Sequence, residues 1–166
     1  MADLIKHQSG PAGGILDHLR AYDTSKEHGN DEVVGIYQIA VWYANRIDKL
    51  QINWKTKNGT KWSEPIGGRN SGPPTQPNVI WPPDSQAGDP ITVIQGNLGD
   101  HNSLRLFSIQ FHTKDLDSSV YGTQSTEDRK NHYYYFQAPA GYQIVDLFGW
   151  ADNEVDSLGV YFVPVI

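Results

Sequence analysis

FGWADNEVDSLGVYF, residues Phe148–Phe162, decides the reading of this chain. Leu147 and Phe148 end an apolar strand, and Gly149 reads as a small-residue turn. The polar residues Asp152-Asn153-Glu154 form a short loop. A new strand then alternates Val155, Ser157, Gly159 and Tyr161 against Asp156, Leu158, Val160 and Phe162. Asp156 stands where loop becomes strand. Loops carried by rigid strands are frequent binding sites, because the scaffold holds the side chain in place.

The same pattern occurs twice more. IDKLQINW (Ile47–Trp54), LFSIQFHT (Leu106–Thr113) and VDSLGVYF (Val155–Phe162) each follow a strand and a short polar turn. Leu50, Ile109 and Leu158 fall at equivalent positions. Repeats spaced about 50 residues apart indicate one supersecondary unit used several times. A half-buried sheet hides one face by alternation. Three such faces around one core close a prism, so the expectation is a single all-β domain over residues 1–166 with pseudo-threefold symmetry.

The segments between the repeats agree with an all-β reading. Val33–Trp42 is β-rich, with Ile39, Val41 and Tyr43 on one face. In Ile47–Lys55 the buried face is Leu50, Ile52 and Trp54. Asn58-Gly59 predicts a type I′ hairpin with Trp62 on the returning strand. Leu104–Thr113 reads as an alternating strand with Phe107, Ile109 and Phe111 on one face. Pro65–Pro90 is a Gly/Pro-rich connection, interrupted by Val79-Ile80-Trp81 as an edge strand. Ile91–Gln95, His132–Gln137 and Tyr142–Phe148 are strands, and Thr24–Asp31 and Asp115–Lys130 are polar loops. Ile15–Tyr22 fits a helical turn or an irregular strand.

Composition narrows the functions. The chain has 166 residues, enough for one core without staples. It has no cysteine, which removes thiol catalysis, zinc–thiolate sites and disulfides. A net charge of -6 without a Lys/Arg cluster argues against nucleic acid as partner. No segment resembles an export signal or a membrane span, so the expected location is cytoplasmic, or outside the cell by a route without a classical signal peptide. Membrane insertion is not expected. No metalloprotease, hydrolase-elbow, phosphate-loop or dinucleotide motif is present. The six histidines are scattered, and Asp115–Ser119 lacks the glycine and the distal acid of a calcium loop. No metal, cofactor or catalytic residue is assigned. Asp152, Glu154 and Asp156 form a carboxylate cluster, but a glycosidase pair needs a cleft that separates its two acids.

Several motifs, in order along nearly the whole chain, resemble the jacalin-related lectin family. They are GPAGGILD (Gly10–Asp17), YQIAVWYANRIDKLQINW (Tyr37–Trp54), NGTKW (Asn58–Trp62), Ile66-Gly67-Gly68, DPITVIQG (Asp89–Gly96) and GWADNEVDSLGVYF. The last is the most specific and is similar to the family's GxxxD loop. The resemblance implies a β-prism of three four-stranded antiparallel sheets and reversible, non-catalytic binding of sugars, with glycans or glycoproteins as partners. It places Asp156 as the carboxylate that accepts from sugar hydroxyls, Asn153 and Glu154 as loop contacts, and Gly14 as the first-loop glycine. Charged acceptors strengthen such bonds. Asp152 stands where the family has glycine. The first repeat keeps a carboxylate in its loop, which makes Asn45, Arg46 and Asp48 a second candidate site, whereas Phe107 removes the third.

An internal glycine loop, preceded by Met1–Ser9, resembles the uncleaved mannose/glucose type. One shallow sugar site binds at roughly millimolar strength, about 4 kcal/mol, so useful avidity requires several sites, through a homo-oligomer or a repeated glycan. Two competing readings stay open. One is the same fold used for protein or membrane-surface contact with the sugar site lost. The other is an enzyme using the carboxylate cluster.

Overall fold

The computed structural model describes residues 7–13, 19–69, 75–99, 105–123 and 133–166. In chain order the strands are β1 (His7–Gly13), β2 (Arg20–Asp23), β3 (Val33–Tyr43), β4 (Ile47–Thr56), β5 (Gly59–Trp62), β6 (Ile66–Gly67) and β7 (Val79–Trp81). They continue as β8 (Val93–Asn97), β9 (Ser108–His112), β10 (Tyr121–Gly122), β11 (Tyr133–Gln137), β12 (Tyr142–Ala151) and β13 (Ser157–Pro164). All paired strands are antiparallel.

Three sheets result. The first has the order β5-β4-β3-β7, with the two-residue β6 also paired to β4. The second runs β10-β9-β8-β11 and the third β1-β13-β12-β2. Each sheet turns one apolar face to a shared core. That core takes Ile39, Leu50, Ile52 and Trp54 from the first sheet, Ile94, Ile109 and Phe111 from the second, and Ile144, Leu147, Leu158 and Val160 from the third. This is the β-prism expected from the repeat, with five strands rather than four in the first sheet. Val79–Trp81 is an edge strand as expected, and its Trp81 reaches the core to stack on Phe111 at 5.6 Å between ring centroids.

A closed ring of backbone hydrogen bonds joins the three repeats. The Ile47 N–H donates to the Leu106 carbonyl (3.0 Å), the Leu106 N–H to Val155 (3.2 Å), and the Val155 N–H back to Ile47 (3.0 Å). All three residues are fully buried. Three positions further on, Leu50, Ile109 and Leu158 are also fully buried. An odd spacing between two inward residues is incompatible with strict alternation, so each repeat slips phase between ring and core.

That slip explains several departures from the sequence reading. Ile47, expected on the exposed face, is buried in the ring. β9 begins only at Ser108, and Leu106 rather than Phe107 takes the inward position ahead of Ile109. Val155 and Asp156 precede β13, which begins at Ser157.

Other differences have local causes. Gly149 is not a turn, because β12 continues to Ala151. The glycine has φ +150, and a Cβ there would lie 2.5 Å from the Ser157 carbonyl oxygen, so its role is close strand approach. The hairpin between β4 and β5 forms, but Lys57 and Asn58 occupy the turn and Thr56 pairs with Gly59. No non-glycine residue among the described ones has positive φ, so the turn is not type I′. Gly59 alone takes the unusual backbone, at φ +136.

The polar stretch after β2 carries a short 3₁₀ helix, Thr24–Glu27, with Asp23 accepting from the Ser25 N–H. Its Thr24 is buried, and its hydroxyl donates to Asp146 at 2.9 Å. His28 Nε2 lies 2.8 Å from the same carboxylate oxygen. The stretch after β9 is likewise not wholly polar, since Tyr121 is buried and packs on Tyr43 at 5.4 Å.

Candidate functional site

The ring dictates where the loop side chains go. Ala151 and Val155 bridge each other, and the Asp152 N–H donates to the Glu154 carbonyl at 3.1 Å, so residues 152–154 form a tight reversal. The first repeat does the same, with the Ala44 N–H donating to the Arg46 carbonyl at 3.2 Å. Residues 46, 105 and 154 immediately precede the ring residues, and 48, 107 and 156 immediately follow them. Both sets therefore gather at one end of the prism.

The preceding set carries Arg46, Arg105 and Glu154, and the threefold arrangement brings them together. Arg46 Nη1 donates to both Glu154 carboxylate oxygens at 3.1 Å. Arg105 Nη1 lies 3.6 Å from Glu154 Oε1, and its Nε lies 3.5 Å from Asp156 Oδ1. Arg69 Nη1 lies 3.5 Å from Asp152 Oδ1. Three guanidinium groups thus face three carboxylates, and Glu154 is the hub.

Asp156 is held firmly. Its residue is only 5% exposed. Its N–H donates to the Trp150 carbonyl at 3.1 Å, and Ser157 Oγ accepts from the Trp150 N–H at 2.8 Å. Tyr22 donates its hydroxyl to the Ser157 carbonyl at 2.7 Å. Burial first, and the Asp156 charge second, push the Tyr22 phenol well above its ordinary value of 10.0. The first-loop chain also comes close here, since Gly13 pairs with Ser157 and a Cβ at Gly13 (φ +115) would run into the Asp156 carbonyl. Gly14 itself lies outside the described residues.

A third segment supports the loop. The Gly68 N–H donates to the Asn153 carbonyl at 3.0 Å and the Arg69 N–H to the Asp152 carbonyl at 3.1 Å. Gly67 (φ +80) has no room for a side chain, because a Cβ would sit 2.5 Å from the Asp48 carbonyl oxygen and 3.1 Å from Glu154.

Asp152, Asn153, Glu154 and Asp156 line one small cavity of about 90 Å³, which Leu19 and Arg105 complete. Asn153 is exposed. Of the second candidate set, Asn45 is exposed and Arg46 is committed to Glu154. Asp48 is half-buried, and desolvation followed by the Glu154 charge raises its carboxyl above the ordinary 3.8, with Arg46 opposing. The two candidate sets are therefore electrostatically one cluster.

Chemically the cluster presents a fixed carboxylate, an exposed amide and guanidinium donors at one rim. Those groups suit a neutral polyol. Two guanidiniums engage Glu154. Arg105 and Arg69 were missed by the sequence reading. For Arg105 the repeat did hold a clue, since it directly precedes Leu106 as Arg46 precedes Ile47.

Residues 9–161 match the jacalin-like lectin domain family. No protein of curated function matches the chain by sequence. Among solved structures, single-chain recombinant jacalin superposes with a TM-score of 0.73 at 17% identity, covering 98% of this chain and 96% of that one. AcmJRL, a mannose-binding jacalin-related lectin from Ananas comosus, gives 0.71 at 18% identity, covering 96% and 98%. The Calsepa lectin, solved with a biantennary N-glycan, gives 0.69 at 22% identity, covering 98% and 99%. Repeat, prism, ring and family match agree: this chain belongs to the jacalin-like lectin domain family.

Proposed function

We propose that the chain binds neutral mannose/glucose-type glycans reversibly, without catalysis, at the loop Asp152–Asp156. Asp156 accepts hydrogen bonds from adjacent sugar hydroxyls, and Asn153 and the glycine loop ending in Gly13-Gly14 supply the rest of the rim. The observation that carries this reading is the placement of Asp156. The backbone ring fixes it one residue past Val155, in a small polar cavity against the first loop. The mannose-binding lectin from Ananas comosus and the glycan-bound Calsepa lectin support the sugar class.

The test is calorimetric titration with methyl α-mannoside, together with a glycan array, on wild type and Asp156→Ala. Loss of at least about tenfold in affinity is expected on removing a charged acceptor that serves two hydroxyls. A folded wild type that binds no glycan sinks the proposal, as does an Asp156→Ala protein that binds as well as wild type.

One observation favours a second reading. Arg105 already lies against Asp156, and Asp152 replaces the family's glycine. On that reading the charge cluster is a structural clasp and the prism end meets a protein instead. Absence of glycan binding by the folded chain is its signature.

A further inference from the structure

The outer face of the second sheet plays no part in the prism-end cluster, yet it is built for contact. β11 alternates strictly. Tyr134 and Phe136 point into the core, while Tyr133 and Tyr135 stand 56% and 53% exposed. Tyr133 opposes Asn97 on β8, and Tyr135 opposes Gln95, which in turn opposes Gln110 on β9. A depression of about 250 Å³ opens on this face, lined by Gln95, Asn97, Ser108, Gln110 and Tyr133 among others, with no charged side chain among the described residues of its lining.

The amides here are held in place. Gln110 Nε2 donates to the Ser118 carbonyl at 2.9 Å. Gln95 Nε2 donates to Gln110 Oε1 at 3.2 Å and lies 2.6 Å from His112 Nε2. The Asn97 backbone N–H donates to Ser108 Oγ at 2.9 Å, and Asn97 Oδ1 accepts from that hydroxyl at 3.2 Å. Asn97 Nδ2 has no hydrogen-bond partner, although the residue is only 4% exposed. Asn97 lines the depression, so a small turn of its side chain would let a polar guest pair this N–H, and nearly all buried polar groups in folded proteins are paired with protein or with water.

The chemistry selects the guest. An anion would look for a cation, and none of the described residues lining the depression is one. An apolar guest would leave the amides unpaired. A peptide strand would add along the outer edge of β11, the edge strand of this sheet, whereas the depression opens on the face over β8 and β9. Neutral donors and acceptors beside an aromatic ring fit a neutral sugar, whose hydroxyls meet the amides while its C–H face lies on the ring. The volume falls below the roughly 300–1,000 Å³ that holds a drug-sized ligand, which suits one ring. Tyr135 follows about 7 Å along the strand, two residues on.

We propose that this face is a second carbohydrate site, taking one neutral hexose ring over Tyr133 with the oligosaccharide running along β11 past Tyr135. It does not depend on the prism-end reading.

The test is ¹H–¹⁵N NMR of the full chain titrated with cellopentaose and, separately, α-mannopentaose. One of the two is expected to shift the Asn97 side-chain amide and the Tyr133 and Tyr135 signals. Tyr133→Ala should weaken that response about tenfold, while Tyr133→Phe, which keeps the ring, should retain it. Tyr133 is exposed, so these variants keep the fold. Failure of both sugars at roughly 20 mM, well above a millimolar dissociation constant, to move Asn97 overturns the proposal. So does a response that Tyr133→Ala leaves intact. Shifts confined to residues 152–156 would overturn it while upholding the prism-end site, and shifts confined to the sheet face would do the reverse. If the same signals move on concentrating the protein without sugar, the face belongs to a second copy and the proposal falls.

Discussion

Asp156 and Arg105 show how much one side chain can reveal by its place in a repeat. The place of Asp156 was legible, because it sits at a fixed step past a repeated apolar residue, and the resemblance to the lectin family is what implies a sugar contact there. Its company was not legible. Arg105, Arg46 and Glu154 are far apart in sequence, and only the threefold arrangement makes them neighbours. Arg105→Ala decides what the contact does. If Arg105 orients Asp156 for sugar, the variant weakens mannoside binding several-fold, and we expect this outcome. If it occupies the carboxylate, the variant strengthens binding. Calorimetry on the two proteins separates the cases.

Asp48 makes a pH prediction. Its carboxyl is raised by desolvation and by Glu154, so the folded state holds this proton more tightly than the unfolded state does. The contribution of Asp48 is therefore most favourable in acid, declines as pH rises through the ordinary value of 3.8, and levels off once the folded-state group is ionised. Asp48→Asn should raise stability at pH 7 and lose that gain in acid below about pH 3, where the carboxyl is protonated in both states. Urea denaturation at the two pH values checks it, and a gain that persists in acid would contradict it.

At the scale of elements, alternation was a good guide in mid-strand and a poor one at strand ends. Leu50, Ile52 and Trp54 turned inward as period two requires. Ile47 and Leu106 did not follow it, because a backbone ring determines their direction instead. The hairpin was legible from Asn58-Gly59, but its turn type was not, since pairing of Thr56 with Gly59 moved the turn one residue earlier. Gly67 looked like a family motif and proved to be a packing requirement. Gly67→Ala places a Cβ against the Asp48 carbonyl in a left-handed backbone and should cost about 1–3 kcal/mol. It should also weaken mannoside binding, because Gly68 and Arg69 hold the carbonyls of the 152–154 loop. Thermal melts and titration read both effects, and a variant as stable as wild type would refute the packing role.

Considered as a whole molecule, the fold was the most legible feature, because three copies of one short pattern had to bury their faces together. Leu50, Ile109 and Leu158 are the equivalent residues of that core, and each is fully buried. Truncating any one to alanine should cost about 2–5 kcal/mol in chemical denaturation. A loss under about 1 kcal/mol at one of them would show that its sheet does not share the common core. What could not be read was the exposed face of the second sheet, since exposed tyrosines and paired amides have no pattern of their own until strand register sets Tyr133 opposite Asn97.

The third sheet has a consequence for how the protein is made. Its neighbours β1 and β13 pair His7 with Phe162 and Gly13 with Ser157, almost the full length of the chain apart. Domains generally fold as units during synthesis, so a domain whose first strand pairs with a late one is completed late. Here β1 cannot pair with β13 until Ser157–Phe162 has emerged. The carboxylate loop and the strand carrying Gly13 therefore meet only once Ser157–Phe162 is available to pair with β1. A chain cut short before Ser157 would keep Asp156 but lack the β1–β13 pairing that seats it against Gly13.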